Sequence, residues 1–236
     1  MAVTAGVKGR AGVERTRQVA RAALACFING GYRLTQIAHV SERLGVSIGS
    51  IYRYVESKEA LFHIAALEAV GWLPDDIELP VKVSGLGETV AVIRDAATRT
   101  QLWPRLLAAA DAPGAPDAEA EARSIAGELF DLVSLRADLI CLLDRCAQDV
   151  PELVEVFDDH VRRRYFGDLL RWVSRRGLVP KGGGLDEYAL TRGALEAVVW
   201  LGQKRVGDAT ATAITDDQAR AAAVRIFASA FDYRAR

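Results

Sequence analysis

One short segment of this 236-residue chain carries residue types that could perform chemistry. Residues 45–49, Gly-Val-Ser-Ile-Gly, match the G-x-S-x-G pattern that presents the nucleophile of a serine hydrolase. Such a serine needs a strand before it, and an acid and a histidine later in the chain. Here an amphipathic helical pattern precedes Ser47, and the later histidines, His63 and His160, lie in helical segments. No convergent catalytic set is present, and we expect no enzymatic activity.

The composition is typical of a globular protein in a reducing compartment. Half of the residues are hydrophobic and 26% are charged, which allows a buried core. The odd cysteine set, Cys26, Cys141 and Cys146, favours a cytoplasmic location and shows no spacing for a disulfide or metal pair. No apolar run approaches the roughly 20 residues of a membrane span, and no signal peptide begins the chain. We expect a soluble cytoplasmic protein without metal or cofactor.

The charges are unevenly distributed along the chain. Residues 1–60 contain nine basic and four acidic residues, a net charge of +5, so the rest of the chain carries −6. A basic segment on an acidic body suggests a polyanionic partner for that segment alone. A solvated helical surface would also produce part of this imbalance, so the charge alone does not decide the partner.

Hydrophobic spacing predicts four helices in the first 73 residues. The first runs over 13–29 and ends at Gly30-Gly31. Thr35 is the expected N-cap of the second, Ser47 of the third and Ser57 of the fourth. The second and third helices, over 36–44 and 47–54, flank a Gly45-Val46 turn and together predict a helix-turn-helix at about 36–55. Ile51 and Val55 are spaced to face the supporting helices, which leaves Ile48, Gly49, Ser50, Tyr52, Arg53 and Tyr54 on the outer side.

The remaining residues also read as helical, without convincing strand alternation. Residues 74–87 form either an ordered loop or a linker, and residues 111–122 form a second loop. Further helices are predicted over 88–107 with a break near Pro104, then over 123–147, 151–177, 186–206 and 217–233. The expected fold class is therefore all-α.

Residues 13–73 resemble the N-terminal domain of the TetR (tetracycline-repressor) family of bacterial transcriptional regulators. The resemblance is carried, in order, by Phe27, Gly31, Thr35, Ile37, Val40, Leu44-Gly45-Val46-Ser47, Gly49-Ser50-Ile51-Tyr52, Tyr54-Val55, Lys58 and Leu61. Gln36, Ser41 and Tyr54 depart from the family's frequent Thr, Ala and His. The resemblance implies an N-terminal three-helix helix-turn-helix domain over 13–73 that binds DNA. A larger helical domain over 74–236 would then bind an effector and form a dimer.

The resemblance and the helix geometry together predict the DNA contacts. Phosphate contacts are expected from Thr35, Tyr52, Tyr54 and Lys58, with Gln36 beside them at the start of the second helix. Base contacts are expected from Ser47, Ile48, Gly49, Ser50 and Arg53. Simpler roles stay open for three of them: Ser47 as a helix cap only, Tyr52 as a core residue, and Arg53 as a phosphate contact.

The resemblance further implies a repressor dimer on a palindromic operator, released by a small apolar or amphipathic inducer. The predicted pocket lining is Trp103, Phe130, Leu139, Leu142, Tyr165, Phe166, Trp172 and Trp200. The predicted dimer interface is Ala189, Gly193, Ala197, Trp200, Leu201, Ala222, Ile226, Phe227 and Ala230. Both sets have the spacing of ordinary core residues as well. A helix-turn-helix regulator with a filled core, controlled by a partner protein or by nothing, is the alternative. The effector, the operator and activation versus repression stay open.

Overall fold

The computed structural model describes residues 3–98, 102–179, 184 and 186–233, and for residues 3–10 it describes the backbone alone. The helices are α1 (Val3–Leu34), α2 (Ile37–Leu44), α3 (Ile48–Ile51), α4 (Lys58–Val70), α5 (Leu86–Thr98), α6 (Pro104–Asp111), α7 (Ala118–Leu135), α8 (Ala137–Cys146), α9 (Pro151–Phe157), α10 (Arg163–Arg176), α11 (Glu187–Gly202) and α12 (Asp216–Ser229). A π-helical turn at Asp158–Arg162 joins α9 to α10, and a 3₁₀ turn at Lys204–Gly207 follows α11. Within the described ranges there is no strand, so the all-α prediction is confirmed.

The chain folds as two compact units. The first contains α1 to α5 together with residues 138–160, and the second contains α6, α7 and the residues from Val161 onward. In the first unit α4 packs against α1 and α5, and α9 packs on α5. This unit is larger than the segment 13–73, because α5, α8 and α9 join the N-terminal helices. In the second unit α12 packs against α7 and α11, and α10 packs on α6.

The corner after α1 depends on one glycine. Gly31 has a φ of 76° and a ψ of 174°, outside the helical region, so α1 is kinked at the Gly30-Gly31 pair where the sequence predicted its end. Thr35 follows this corner, but it is not the N-cap of α2. Gln36 occupies that position in an extended conformation, and its N–H donates to Nδ1 of His39 at 3.2 Å. The predicted cap was therefore wrong by one residue.

The segment after α4 is an ordered loop, which decides between the two alternatives left by the sequence. The N–H of Val81 donates to the carbonyl of Tyr54 at 2.8 Å, and the N–H of Glu56 donates to the carbonyl of Val81 at 3.1 Å. These bonds form an isolated parallel bridge between Val55 and Val81. Lys82 adds an ion pair with Glu56 at 2.6 Å. The loop is thus attached to the chain immediately after α3.

Several predicted helices of the later chain divide further than hydrophobic spacing indicated. The segment predicted as 123–147 becomes α7, beginning at Ala118 under an Asp117 cap, and α8. They are separated at Arg136, whose φ of −105° and ψ of 16° lie outside the helical values. Asp186 caps α11 and Thr215 caps α12, with side-chain oxygens that accept from the N–H groups of Ala189 and Gln218.

The core of the second unit is aromatic. Trp172 on α10 is fully buried and lies against Phe227 and Phe231, with ring centroids 6.4 and 5.9 Å away. No helix of the described chain has the length and apolar character needed to cross a bilayer. Among the same residues, no group of three or more His, Cys, Asp or Glu side chains is arranged to hold a metal ion.

Candidate nucleic-acid interface

The turn between α2 and α3 is shaped by a left-handed glycine. Gly45 ends α2 with a φ of 65°, and its N–H donates to the carbonyl of Glu42 at 3.1 Å. The N–H of Val46 donates to the carbonyl of Ser41 at 3.0 Å, which completes the end of α2. Glycine adopts this φ without a steric penalty, and the chain turns sharply into α3. Two short helices joined in this way form a helix-turn-helix.

Burial fixes which side of α3 faces outward. Ile51 and Val55 are 1% and 0% exposed, whereas Ile48 and Tyr52 are 47% and 49% exposed. Gly49 and Arg53 are exposed as well. The regular helix is shorter than predicted, covering Ile48–Ile51, although the N–H of Val55 still donates to the carbonyl of Ile51 at 3.2 Å. The outer face thus presents an apolar side chain, a phenol and a guanidinium, and Tyr52 is not a core residue.

Three polar side chains are linked along this outer face. The hydroxyls of Ser47 and Ser50 lie 2.9 Å apart, and Nη2 of Arg53 donates to Oγ of Ser50 at 3.3 Å. Ser47 occupies the N-cap position of α3, but its side chain makes no capping hydrogen bond. These groups are donors and acceptors that could meet base edges or phosphates.

The geometry of Ser47 differs from that of a hydrolase nucleophile. Helix α2 and a turn precede it, and its φ of −71° and ψ of 150° are ordinary extended values. The first histidine that follows it, His63, lies with Nδ1 3.1 Å from Oγ1 of Thr89. The G-x-S-x-G match is therefore a part of the helix-turn-helix and not a nucleophile elbow.

Because Gly49 has no side chain, no atoms cover the backbone of α3 at the centre of the outer face. A Cβ built at this position would meet only Oγ of Ser47, at 4.0 Å. The protein itself would therefore accommodate a side chain at this position. Because glycine has none, a binding partner can approach the backbone of α3 closely.

Lys58 lies at the first position of α4, where free N–H groups favour an anion. Its Nζ donates to the carbonyl of Arg33 at 3.0 Å and lies 4.6 Å from the centroid of the Tyr32 ring. Partial burial lowers the pKa of the ammonium, and the charges of Glu59 and Asp149 oppose this effect. An open groove of about 590 Å³ is lined by Tyr32, Arg33, Lys58, Gln148 and Asp149.

The structure corrects the prediction that the Thr35 side chain contacts phosphate. Thr35 is 1% exposed, and its hydroxyl donates to the carbonyl of Gly31 at 2.7 Å. A buried hydroxyl with this partner stabilises the corner after α1 and is not accessible to DNA. Gln36 is exposed beside it, and Tyr54 is half-buried with its carbonyl bound to Val81.

Part of the basic character of the N-terminal segment is neutralised inside the first unit. Arg21 pairs with Glu68 at 2.8 Å, and Arg17 pairs with Asp75 at 2.8 Å and donates to the carbonyl of Leu73. The acidic partners lie beyond residue 60, so the net charge of +5 overstates the cations open to a polyanion. Arg33 was not predicted as a functional residue, yet its side chain is 80% exposed beside the Lys58 groove.

The predicted pocket residues are not all in one unit. Leu139 and Leu142 belong to the first unit, and the other six belong to the second. Trp103, Phe130, Tyr165, Phe166 and Trp172 are buried there, whereas Trp200 is 37% exposed. Trp103 meets Tyr165 edge-on with centroids 5.2 Å apart. The hydroxyls of Tyr165 and Thr191 are buried and have no hydrogen-bond partner among the described residues, and burial raises the pKa of Tyr165.

The predicted dimer residues divide into an exposed and a buried group. Ala189, Gly193, Trp200 and Ile226 are exposed, and Ala197, Ala222 and Ala230 are half-buried. Leu201 and Phe227 are 6% and 0% exposed and belong to the core of the unit, so for these two the prediction was wrong. The spacing of residues in the sequence did not distinguish the exposed face of these helices from the buried face, because both faces contain small and apolar residues.

Comparisons with known proteins agree with the helix-turn-helix. Residues 19–65 match the model of a family described as bacterial regulatory proteins, tetR family. None of the curated proteins matches the chain.

Three solved structures are similar over most of the chain. A structure described as a tetR-family transcriptional regulator from Mesorhizobium loti has a TM-score of 0.47 at 17% identity, covering 93% of this chain and 98% of its own. The fatty acid degradation regulator FadR from Bacillus halodurans has 0.47 at 14%, covering 91% and 93%. FadR from Bacillus subtilis, in complex with stearoyl-CoA, has 0.42 at 14%, covering 92% and 97%. These values are too low to transfer a ligand to this chain.

Proposed function

We propose that the chain is a DNA-binding transcriptional regulator of the tetR family, a repressor that binds a palindromic operator as a homodimer in the bacterial cytoplasm. A small effector bound in the helical second unit would release it from DNA. The observation that carries the proposal is the orientation of α3. Ile51 and Val55 are buried, which turns Ile48 on α3, and Tyr52 and Arg53 in the turn directly after it, toward solvent.

The outer face of α3 has the side chains that reading of a major groove requires. Arg53 can donate two hydrogen bonds to guanine, and Ile48 can contact a thymine methyl group. Tyr52, Tyr54 and Lys58 are the candidates for phosphate, since a hydroxyl or an ammonium near the start of α4 suits an anion. Phosphate contacts supply most of the affinity and no sequence information, whereas base contacts supply the discrimination.

The exposed faces of α11 and α12 support a homodimer. Ala189, Gly193 and Ala197 follow one another at intervals of four on α11. Ala222 and Ile226 on α12 and Ala230 at its C-cap have the same spacing. These positions are exposed or half-buried, and the two helices pack against each other. Small residues at such intervals allow a second pair of helices to approach closely, as a twofold four-helix interface requires.

Two buried hydroxyls support an effector in the second unit. Within the part of the chain that the structure describes, the buried side-chain oxygens of Tyr165 and Thr191 have no hydrogen-bond partner, which costs free energy unless a ligand binds them. The alternative of a regulator without a ligand is favoured by Trp172, which is packed in an aromatic core and donates to Glu121 at 2.6 Å. An effector is therefore expected beside Tyr165 and not within the filled core around Trp172.

Selection of DNA from a random pool by the full-length protein tests the proposal. We expect enrichment of an inverted repeat whose half-sites are separated by about one turn of DNA. Enrichment of a single unrepeated half-site would contradict the dimer, and no enrichment at modest ionic strength would contradict specific DNA binding itself.

The dimer has its own test. Ile226→Asp introduces a charge into the proposed interface and should convert the dimer to a monomer in sedimentation velocity, with loss of affinity for the full repeat. Arg225→Ala, on the exposed side of the same helix, is the matched control and should stay dimeric. A dimeric Ile226→Asp protein would exclude this face as the interface.

A further inference from the structure

We infer that Asp149, in the turn between α8 and α9, is a positioning residue for the DNA contact of Lys58. This inference rests on the proposed function, because it assigns Asp149 a role only through the phosphate contact of Lys58. The structural basis is a pair of hydrogen bonds that connects the Asp149 carboxylate to the Lys58 ammonium through the backbone N–H and the backbone carbonyl of Arg33.

Both bonds of this relay have normal lengths and involve a charged group. The backbone N–H of Arg33 donates to Oδ2 of Asp149 at 2.8 Å. The carbonyl of the same residue accepts from Nζ of Lys58 at 3.0 Å. Hydrogen bonds with one ionised partner are about twice as strong as neutral ones. Asp149 thus fixes the residue that in turn fixes the ammonium.

The corner after α1 is shaped to admit this carboxylate. A Cβ at Gly31 would lie 2.9 Å from Oδ2 of Asp149, and the φ of 76° at Gly31 already favours glycine. The Asp149 side chain is only 19% exposed, and the Arg33 guanidinium lies near it with Nε 3.7 Å from Oδ1. The carboxylate is therefore built into the corner and is not a solvated surface charge.

The contacts of Lys58 fix its side chain but use only part of its hydrogen-bonding capacity. An ammonium has three N–H donors, and the Arg33 carbonyl uses one of them. The Tyr32 ring lies under the ammonium, and the Tyr32 hydroxyl donates to Glu59 at 3.1 Å, which fixes the ring. The remaining donors can serve a phosphate from a side chain whose conformation is already restricted, which reduces the entropy lost on binding.

A positioning role and a purely electrostatic role predict opposite signs. A carboxylate beside a phosphate-binding cation repels a polyanion, so simple Coulomb attraction predicts tighter DNA binding when Asp149 is removed. Positioning predicts weaker binding, because Lys58 loses its fixed geometry. Asparagine separates the two effects further, since it removes the charge and keeps an oxygen that can accept from the Arg33 N–H.

The experiment is a double-mutant cycle with the full-length protein and one duplex enriched from the random pool. Affinities are measured for the wild type, Lys58→Ala, Asp149→Ala and the double variant, together with their unfolding temperatures. We expect Lys58→Ala and Asp149→Ala each to weaken binding by about five- to tenfold, and the double variant to bind within about twofold of Lys58→Ala. Asp149→Asn should stay within about twofold of the wild type. Glu155→Ala, which removes an exposed carboxylate from α9, should bind like the wild type.

The outcomes separate this inference from the proposed function. Additive losses, unchanged or tighter binding by Asp149→Ala, or equal losses in Asp149→Asn and Asp149→Ala would overturn the relay while DNA binding stands. A folded Lys58→Ala that binds like the wild type would overturn the relay and the phosphate role of Lys58 together. A wild type that enriches no duplex would overturn the proposed function, and the relay with it.

Discussion

The backbone of Val81 is hydrogen-bonded on both sides of Val55, donating to Tyr54 and accepting from Glu56. Val55 and Val81 are both buried, at 0% and 6% exposed. The loop after α4 therefore holds the end of the segment that presents Tyr52 and Arg53. A residue about 25 positions away in sequence thus helps to orient the proposed DNA-contacting surface.

Replacing Val81 by proline tests the importance of this bridge. Proline lacks the N–H that donates to the carbonyl of Tyr54. We therefore expect DNA affinity to fall about fivefold, which corresponds to about 1 kcal/mol for one hydrogen bond. Val81→Ala keeps both backbone bonds and should bind within about twofold of the wild type. Binding isotherms on one selected duplex give the answer, and equal affinities for Val81→Pro and wild type would show that the bridge does not orient α3.

The salt dependence of binding tests the role of Lys58. Removal of one phosphate contact reduces the slope of log affinity against log salt by about one unit, and it weakens binding on all sequences alike. We therefore expect this flatter slope for Lys58→Ala. Lys204→Ala removes an equal charge at an exposed position of the second unit and should keep the wild-type slope. A changed sequence preference with an unchanged slope would assign Lys58 to bases instead.

A buried ion pair should dominate the stability of the second unit. Arg176 is almost fully buried, pairs with Glu121 at 2.8 Å and donates to the carbonyls of Ala109 and Ala112. Removing Glu121 leaves this guanidinium buried without a counter-charge, at a cost of about 3 kcal/mol. Denaturant unfolding of Glu121→Ala measures the loss. Glu119→Ala breaks only the exposed pair with Arg123 on the same helix and should cost about 0.5 kcal/mol or less. Similar losses in the two variants would contradict the assignment.

Local signals predicted most of the first unit. Gly31, Gly45 and Ser57 lie at the helix boundaries where their types are favoured, and the burial of Ile51 and Val55 followed from helical spacing. The sequence predicted Thr35 as the N-cap, and not Gln36, because threonine has the better capping side chain. In the folded protein the Thr35 hydroxyl is buried and donates to the carbonyl of Gly31 instead.

Long-range contacts were beyond the reach of the sequence. Asp149 lies 116 residues from Arg33, and no local pattern links the two positions. The same holds for Arg176 and Glu121, which are 55 residues apart. The sequence predicted the helices α11 and α12 but not which of their faces is buried. Leu201 and Phe227 face the core because the neighbouring helices determine which apolar stripe is covered.

Gly49 gives the most direct test of the central claim that the outer face of α3 contacts DNA. The protein leaves open space around a Cβ at this position, so Gly49→Leu should fold with an unfolding temperature equal to or above that of the wild type. The added side chain would stand between α3 and the base edges. We expect the affinity for the selected duplex to fall by at least about 100-fold, since a clash at a close interface costs several kcal/mol. A folded Gly49→Leu protein with wild-type affinity would show that α3 does not enter the groove.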